Sequence, residues 1–182
     1  MPDKILTPKF LNATIAQLAV QQAIRVVTGP DSLTGLLKRQ AFHIVVLGPS
    51  MRDDRETDYA DWPAYQIQPA LIYEHGVGKG EGLWTDKYDE VARCKALQLW
   101  HGRQDSGTDI APHLLFPGDT IYWGGVKRQG IVVACSGVQP WFDRMIANLV
   151  ADMIIGLSYD AWMRSNDRMD VERKIPGAGW IT

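Results

Sequence analysis

The chain reads as an α+β domain, an antiparallel sheet with helices packed against it, and three observations predict this. The stretch 120–153, TIYWGGVKRQGIVVACSGVQPWFDRMIANLVADM, sets a short and almost wholly apolar segment, Ile131-Val132-Val133-Ala134-Cys135, between a polar turn and a helix opening on Pro140. Consecutive β-branched residues suit a strand covered on both faces. Two further segments carry apolar residues at three- and four-residue spacing, one before and one after a first pair of strand-like runs. The resulting order is helix, strand, strand, helix, strand, strand, helix, with connections that suit antiparallel neighbours.

Taken in order, residues 1–10 form an N-terminal arm, 11–163 the domain and 164–182 a polar C-terminal tail. Asn12 offers an N-cap to a helix running to about residue 27, with Ile15, Leu18, Ala19, Ala23, Val26 and Val27 on one face. Thr28-Gly29-Pro30-Asp31 ends it. Residues 42–47 are a strand that Gly48-Pro49 is expected to stop, and the acidic run from 50 to 63 reads as an exposed loop. A brief strand follows at 70–73, then a glycine-rich loop at 76–82. The second helix spans 88 to about 101, with Thr85 or Asp86 as cap and Val91, Ala92, Lys95, Ala96 and Leu99 as its mixed apolar face. A strand then leads into the turn Lys127-Arg128-Gln129-Gly130, and residues 131–135 return as the buried strand. Pro140 fits the first helical position, and Asp143 meets the positive end of the helix dipole. Phe142, Ile146, Leu149, Met153 and Leu157 make the apolar stripe of the last helix.

Bulk properties narrow the function classes. A length of 182 residues with 46% hydrophobic and 22% charged residues matches one globular domain with a real core. The net charge of -2 and the lack of a basic block argue against a nucleic-acid surface. No apolar run reaches the ~18 residues of a membrane span, and the N-terminal sequence does not read as a signal peptide. Two cysteines in apolar segments, Cys94 and Cys135, predict reduced core thiols and a cytoplasmic setting. Seven tryptophans predict a large aromatic surface in a core, a pocket or a subunit interface.

Three motif positions resemble the GlcG/HbpS-like family of haem-binding or haem-degrading domains, which is also similar to the C-terminal domain of PduO-type corrinoid adenosyltransferases. They are Ala92-Arg93-Cys94-Lys95-Ala96 in the second helix, Phe116-Pro117-Gly118 with Gly124-Gly125-Val126, and Val133-Ala134-Cys135-Ser136-Gly137 with Asp143 beyond it. The likeness covers roughly residues 11 to 160. It implies a profilin-like fold, a homo-oligomer, and haem or another tetrapyrrole as ligand. The loop at 50–69 is longer than the family's, the central hairpin is shorter, and the first helix carries no histidine for haem ligation.

Several residues invite chemistry, each beside a structural alternative. His101 lies seven residues after Cys94, a pair able to ligate a metal or set up a nucleophile; alternatively it is a histidine favoured by the negative end of a helix. His113 would serve as an axial haem ligand or a general base, or as a loop histidine bonded to backbone. Cys135 beside Ser136 lies in an apolar strand and lacks the Gly-x-Ser-x-Gly context of a nucleophile elbow, so a core thiol is expected. Lys79 sits in a glycine-rich run without the phosphate-loop pattern, leaving a loop able to act as a lid. In Tyr122-Trp123-Gly124-Gly125 the glycines admit a ligand or another backbone, and Lys127 and Arg128 could pair with a carboxylate or propionate. Asp53, Asp54, Glu56, Asp58 and Asp61 read as a solvated face. The expected function is a cytosolic, homo-oligomeric small-molecule-binding protein with Trp123, Gly124, Gly125, Lys127 and His113 at its ligand. Two alternatives stand beside it. In one, an enzyme uses His101 or His113 to move a proton and the Gly124-Gly125 backbone to bind an oxyanion. In the other, the chain is a structural oligomer whose tryptophans fill interfaces.

Overall fold

A computed structural model describes residues 5–30, 32–52, 67–104 and 111–168. Its elements are β1 (Ile5–Leu6), α1 (Ala13–Thr28), β2 (Phe42–Arg52), β3 (Gln68–Val77), α2 (Tyr88–Trp100), β4 (Gly125–Arg128), β5 (Ile131–Ser136) and α3 (Pro140–Met163), with short 3-10 turns at Leu33–Gly35 and Pro112–Leu114. The α+β class holds: five strands form one sheet in which every pairing is antiparallel. β2 is central, paired with β3, with β5 and, at its far end, with β1, while β4 flanks β5.

Strand alternation splits the core into two layers. Phe42, Ile44, Val46, Val133 and Cys135 face α1 and α3. Val45, Leu47, Val132 and Ala134 face α2 through Ala92, Ala96 and Leu99. β5 is buried along its whole length, as its unbroken apolar run requires. The β4–β5 turn is the two-residue Gln129-Gly130, both with positive φ (47° and 82°), the geometry that matches strand twist in a tight hairpin. β4 therefore keeps Lys127 and Arg128, which the sequence had placed in the turn.

Three element boundaries differ from expectation. β2 runs through Gly48-Pro49 to Arg52, and Pro49 stands opposite Pro69. Two opposed prolines fit a position where the strands exchange no N–H···O bond, so neither missing donor is felt. β3 extends from Gln68 to Val77, taking in Gly76. Neither Thr85 nor Asp86 occupies the cap position of α2, where Lys87 makes no side-chain cap bond; Asn12 does cap α1, accepting from Ile15 N at 3.0 Å. The buried seam of α1 is Ala16, Ala19, Val20, Ala23 and Val27, leaving Leu18 and Val26 exposed. Small residues win that seam because they bring α1 close to α3 and the sheet. The acidic residues Asp53, Asp54, Glu56, Asp58 and Asp61 lie outside the described residues, as do 169–182 of the tail.

Candidate functional site

The motif residues of α2, of the approach to β4 and of α3 converge on a buried ion pair. Lys95 Nζ donates to Asp143 Oδ2 at 3.0 Å and to the Cys135 carbonyl at 2.8 Å, and both side chains are almost wholly buried. Asp143 Oδ1 accepts from Val138 N at 3.2 Å. Lys95 thus reaches from the α2 layer to the first turn of α3 past the end of β5, and the pair ties both layers together. Burial pushes the Asp143 carboxyl above its ordinary range, an effect that Lys95 partly offsets. Burial also raises the Cys135 thiol well above its usual value, so Cys135 is the inert core thiol that its strand predicted.

Gly124 and Gly125 serve this packing. A Cβ on Gly124 would stand 2.5 Å from Asp143 Cβ, and one on Gly125 would stand 2.5 Å from Leu99 Cδ1 and 2.9 Å from the Val133 carbonyl. The backbone that approaches closely here is the protein's own. Lys127 Nζ donates to the Trp100 carbonyl at 2.8 Å, holding the C-terminal end of α2. His101 follows as the exposed C-cap, and His113 is exposed in the second 3-10 turn. Trp123 is half-buried. Cys94 Sγ contacts Gln98 and Thr120 rather than His101, and no cluster of three metal-ligating side chains exists among the described residues. The strap before β4 is fastened by side-chain amides. Gln98 accepts from Thr120 N at 3.0 Å and donates to Thr120 O at 3.1 Å, and Gln104 donates to Tyr122 O at 2.9 Å. Arg103 pairs with Asp119, which accepts from Phe116 N.

An apolar cavity of about 390 Å³ opens elsewhere, where the N-terminal arm, the β4–β5 hairpin and the far half of α3 meet. Phe10, Leu11, Ile131, Ile154, Ile155 and Trp162 supply its walls. Ser158 also lines it, and its Oγ is buried without a hydrogen-bond partner among the described residues. A serine in a helix ordinarily bonds to the carbonyl one turn back or to solvent. Haem would need an axial donor. Among the described residues the lining holds no histidine, cysteine or methionine, and one phenol, Tyr159. The cavity therefore does not fit a histidine-ligated haem. Nothing in the sequence pointed to it, because its wall joins residues some 150 positions apart along the chain.

A third cluster was also missed. His43 on β2 is 6% exposed, and its Nε2 lies 3.2 Å from Glu74 Oε2 on β3. Arg93 holds Glu74 with two bonds, at 2.9 and 2.8 Å. The register pairs His43 with Gly76, so Glu74 is its diagonal neighbour. Burial lowers the His43 pKa, and the Glu74 hydrogen bond opposes that. The Arg93 hydrogen bonds keep Glu74 below the ordinary carboxylate range.

Comparison with protein-family models, with curated proteins and with solved structures returned no match. No helix among the described residues is long and apolar enough to cross a membrane.

Proposed function

We propose that this protein binds a small, mainly apolar molecule in the cavity between the N-terminal arm and α3, and that it works as a homo-oligomer. The observation that carries the reading is a largely apolar cavity with the Ser158 hydroxyl in its lining, buried and without a hydrogen-bond partner among the described residues. Pockets of ~300–1,000 Å³ with few polar groups are the usual form of small-molecule sites, and a cavity of about 390 Å³ lies at the small end of that range. The ligand would place one hydroxyl or carbonyl at Ser158 and its hydrocarbon against Ile154, Ile155 and Trp162. The resemblance to haem-binding domains makes haemin a necessary probe, with Tyr159 among the described lining residues as a phenol of axial-donor type. The oligomer draws support from the strap, where Phe116, Ile121 and Tyr122 are all more than half exposed.

The test is a thermal-shift and tryptophan-fluorescence titration with 1-octanol and with haemin. A ligand at a hundred times its Kd stabilises by about 2.7 kcal/mol, or roughly 5–11 °C for a chain of this size. Octanol is expected to produce such a shift. Ile155→Trp, which fills the cavity, should abolish it, and Ser158→Ala should weaken it. No shift with either probe, or shifts unchanged in Ile155→Trp, would sink the reading. Light scattering on the eluting protein tests the oligomer, and a monomeric mass refutes that part.

A further inference from the structure

The His43 cluster lies on the α2 face, away from the cavity, and it borders a slot that the chain fills with its own indole. Trp84 comes from the segment between β3 and α2, residues 78–87, which holds no helix or strand. The floor of the slot, against the benzo edge of the ring, is Gly76, where an added Cβ would stand 2.9 Å from the indole Cζ2. Trp84 Nε1 donates to the Val77 carbonyl at 2.8 Å. Lys79 Nζ stands 4.6 Å from the ring centroid, and the rings of Tyr88 and His43 lie at 5.4 and 5.7 Å, His43 at an interplanar angle of 86°. A bare floor, one backbone acceptor, a cation over the ring face and aromatic walls are what a protein presents to a flat heterocycle.

One group in the slot is left unserved. Glu74 is ionised and can only accept, so His43 Nε2 carries the proton and Nδ1 is a bare acceptor. Nδ1 is buried and has no hydrogen-bond partner among the described residues. It faces the same point above Gly76 as the benzo edge of Trp84, which offers only C–H groups. A buried acceptor without a donor is destabilising by ~1–3 kcal/mol, and native structures hold few of them.

We propose that Trp84 is a displaceable plug in a second binding site, whose ligand is a planar bicyclic heteroaromatic carrying an N–H on the edge facing His43 Nδ1. Such a ligand keeps the bond to Val77 O and the cation over its face, and adds the hydrogen bond that the indole cannot make. Positive φ at Gly78 and Gly82 gives the loop two pivots on which to carry Trp84 away.

The probe is adenine, with quinoline as a flat bicyclic control that has no N–H. The readout is the Trp84 indole N–H signal in a proton–nitrogen correlation spectrum, assigned with Trp84→Phe. Adenine is expected to shift that signal saturably towards a solvent-exposed position, and quinoline to leave it in place. His43→Phe should weaken adenine roughly tenfold, the worth of one hydrogen bond of about 1.4 kcal/mol. Trp84→Ala should bind adenine more tightly than the wild type, because the plug no longer competes. An unmoved Trp84 signal at the solubility limit of adenine overturns the proposal. So does equal displacement by quinoline, or adenine affinity unchanged in His43→Phe. The wild-type and His43→Phe titrations decide the matter even if Trp84→Ala does not fold.

Discussion

Replacing Lys95 by Met leaves the Asp143 carboxylate buried against α2 with no opposite charge, held by the Val138 N–H and the weak donor of the Cys135 thiol. The Cys135 carbonyl loses its 2.8 Å donor at the same time. Removing one partner of a buried pair costs ~3–5 kcal/mol, whereas replacing both partners by apolar groups of similar size is near neutral or stabilising. Lys95→Met is therefore expected to lower the unfolding free energy by about 3–5 kcal/mol at neutral pH. Lys95→Met/Asp143→Leu should recover at least half of that. Urea unfolding at constant m-value measures both. The pH dependence supplies an independent check. With the ammonium gone, only the hydrogen bonds from Val138 N–H and the Cys135 thiol oppose the burial that raises the Asp143 pKa. Its folded value, already above the unfolded one in the native protein, rises further, so the folded variant holds the proton more tightly. The deficit against wild type is fully present above the variant's folded value and shrinks as pH falls through it towards the lower folded value of the wild type. A Lys95→Met loss under about 1 kcal/mol, or a double variant whose loss equals the sum of the singles, would refute the reasoning, because uncoupled residues add.

Other consequences are as direct. His43 has a folded pKa below its unfolded value of 6.5, so the unfolded chain takes up the proton first. Its contribution to stability is intact above the unfolded value and declines as pH falls through 6.5 towards the lowered folded value; His43→Phe should flatten that part of the stability profile. Gly137→Ala should lose at least about 2 kcal/mol in chemical unfolding, since the residue has φ +140° and its Cβ would stand 2.5 Å from Phe42 Cα. Gly156→Ala should gain about 0.5–1 kcal/mol, because that glycine is exposed in α3 with nothing within 4 Å of an added Cβ. In the native protein a thiol reagent should label Cys94 and leave Cys135 unmodified until denaturant is added; native labelling of Cys135 would contradict its burial.

Legibility followed the range of the interactions. The strand at Ile131–Ser136, the Pro140 helix start and the buried face of α2 were readable because periodicity and caps are local. Gly48-Pro49 misled because a proline stops a strand only where its N–H is wanted, and the partner strand sets that position through Pro69. The paired glycines were read as an opening for a ligand or another backbone. Glycine permits close approach without saying of what, and here Asp143 and Leu99 fill the space. His101 and His113 drew notice as histidines near predicted element ends, yet His43 is the histidine with a carboxylate partner. Its neighbour Glu74 lies on another strand, at an offset that only the register reveals.

The sequence by itself determined the α+β class, the antiparallel order and the placement of an inert thiol in the core, because apolar period and turn chemistry act within a dozen residues. Only the tertiary structure decided the rest. It brought Lys95 to Asp143 across 48 positions, shaped an open cavity lined by Ser158, and set Trp84 edge-on to His43. Each of these depends on which faces meet when the layers pack, and a one-dimensional pattern carries the face of an element but not the face opposite it.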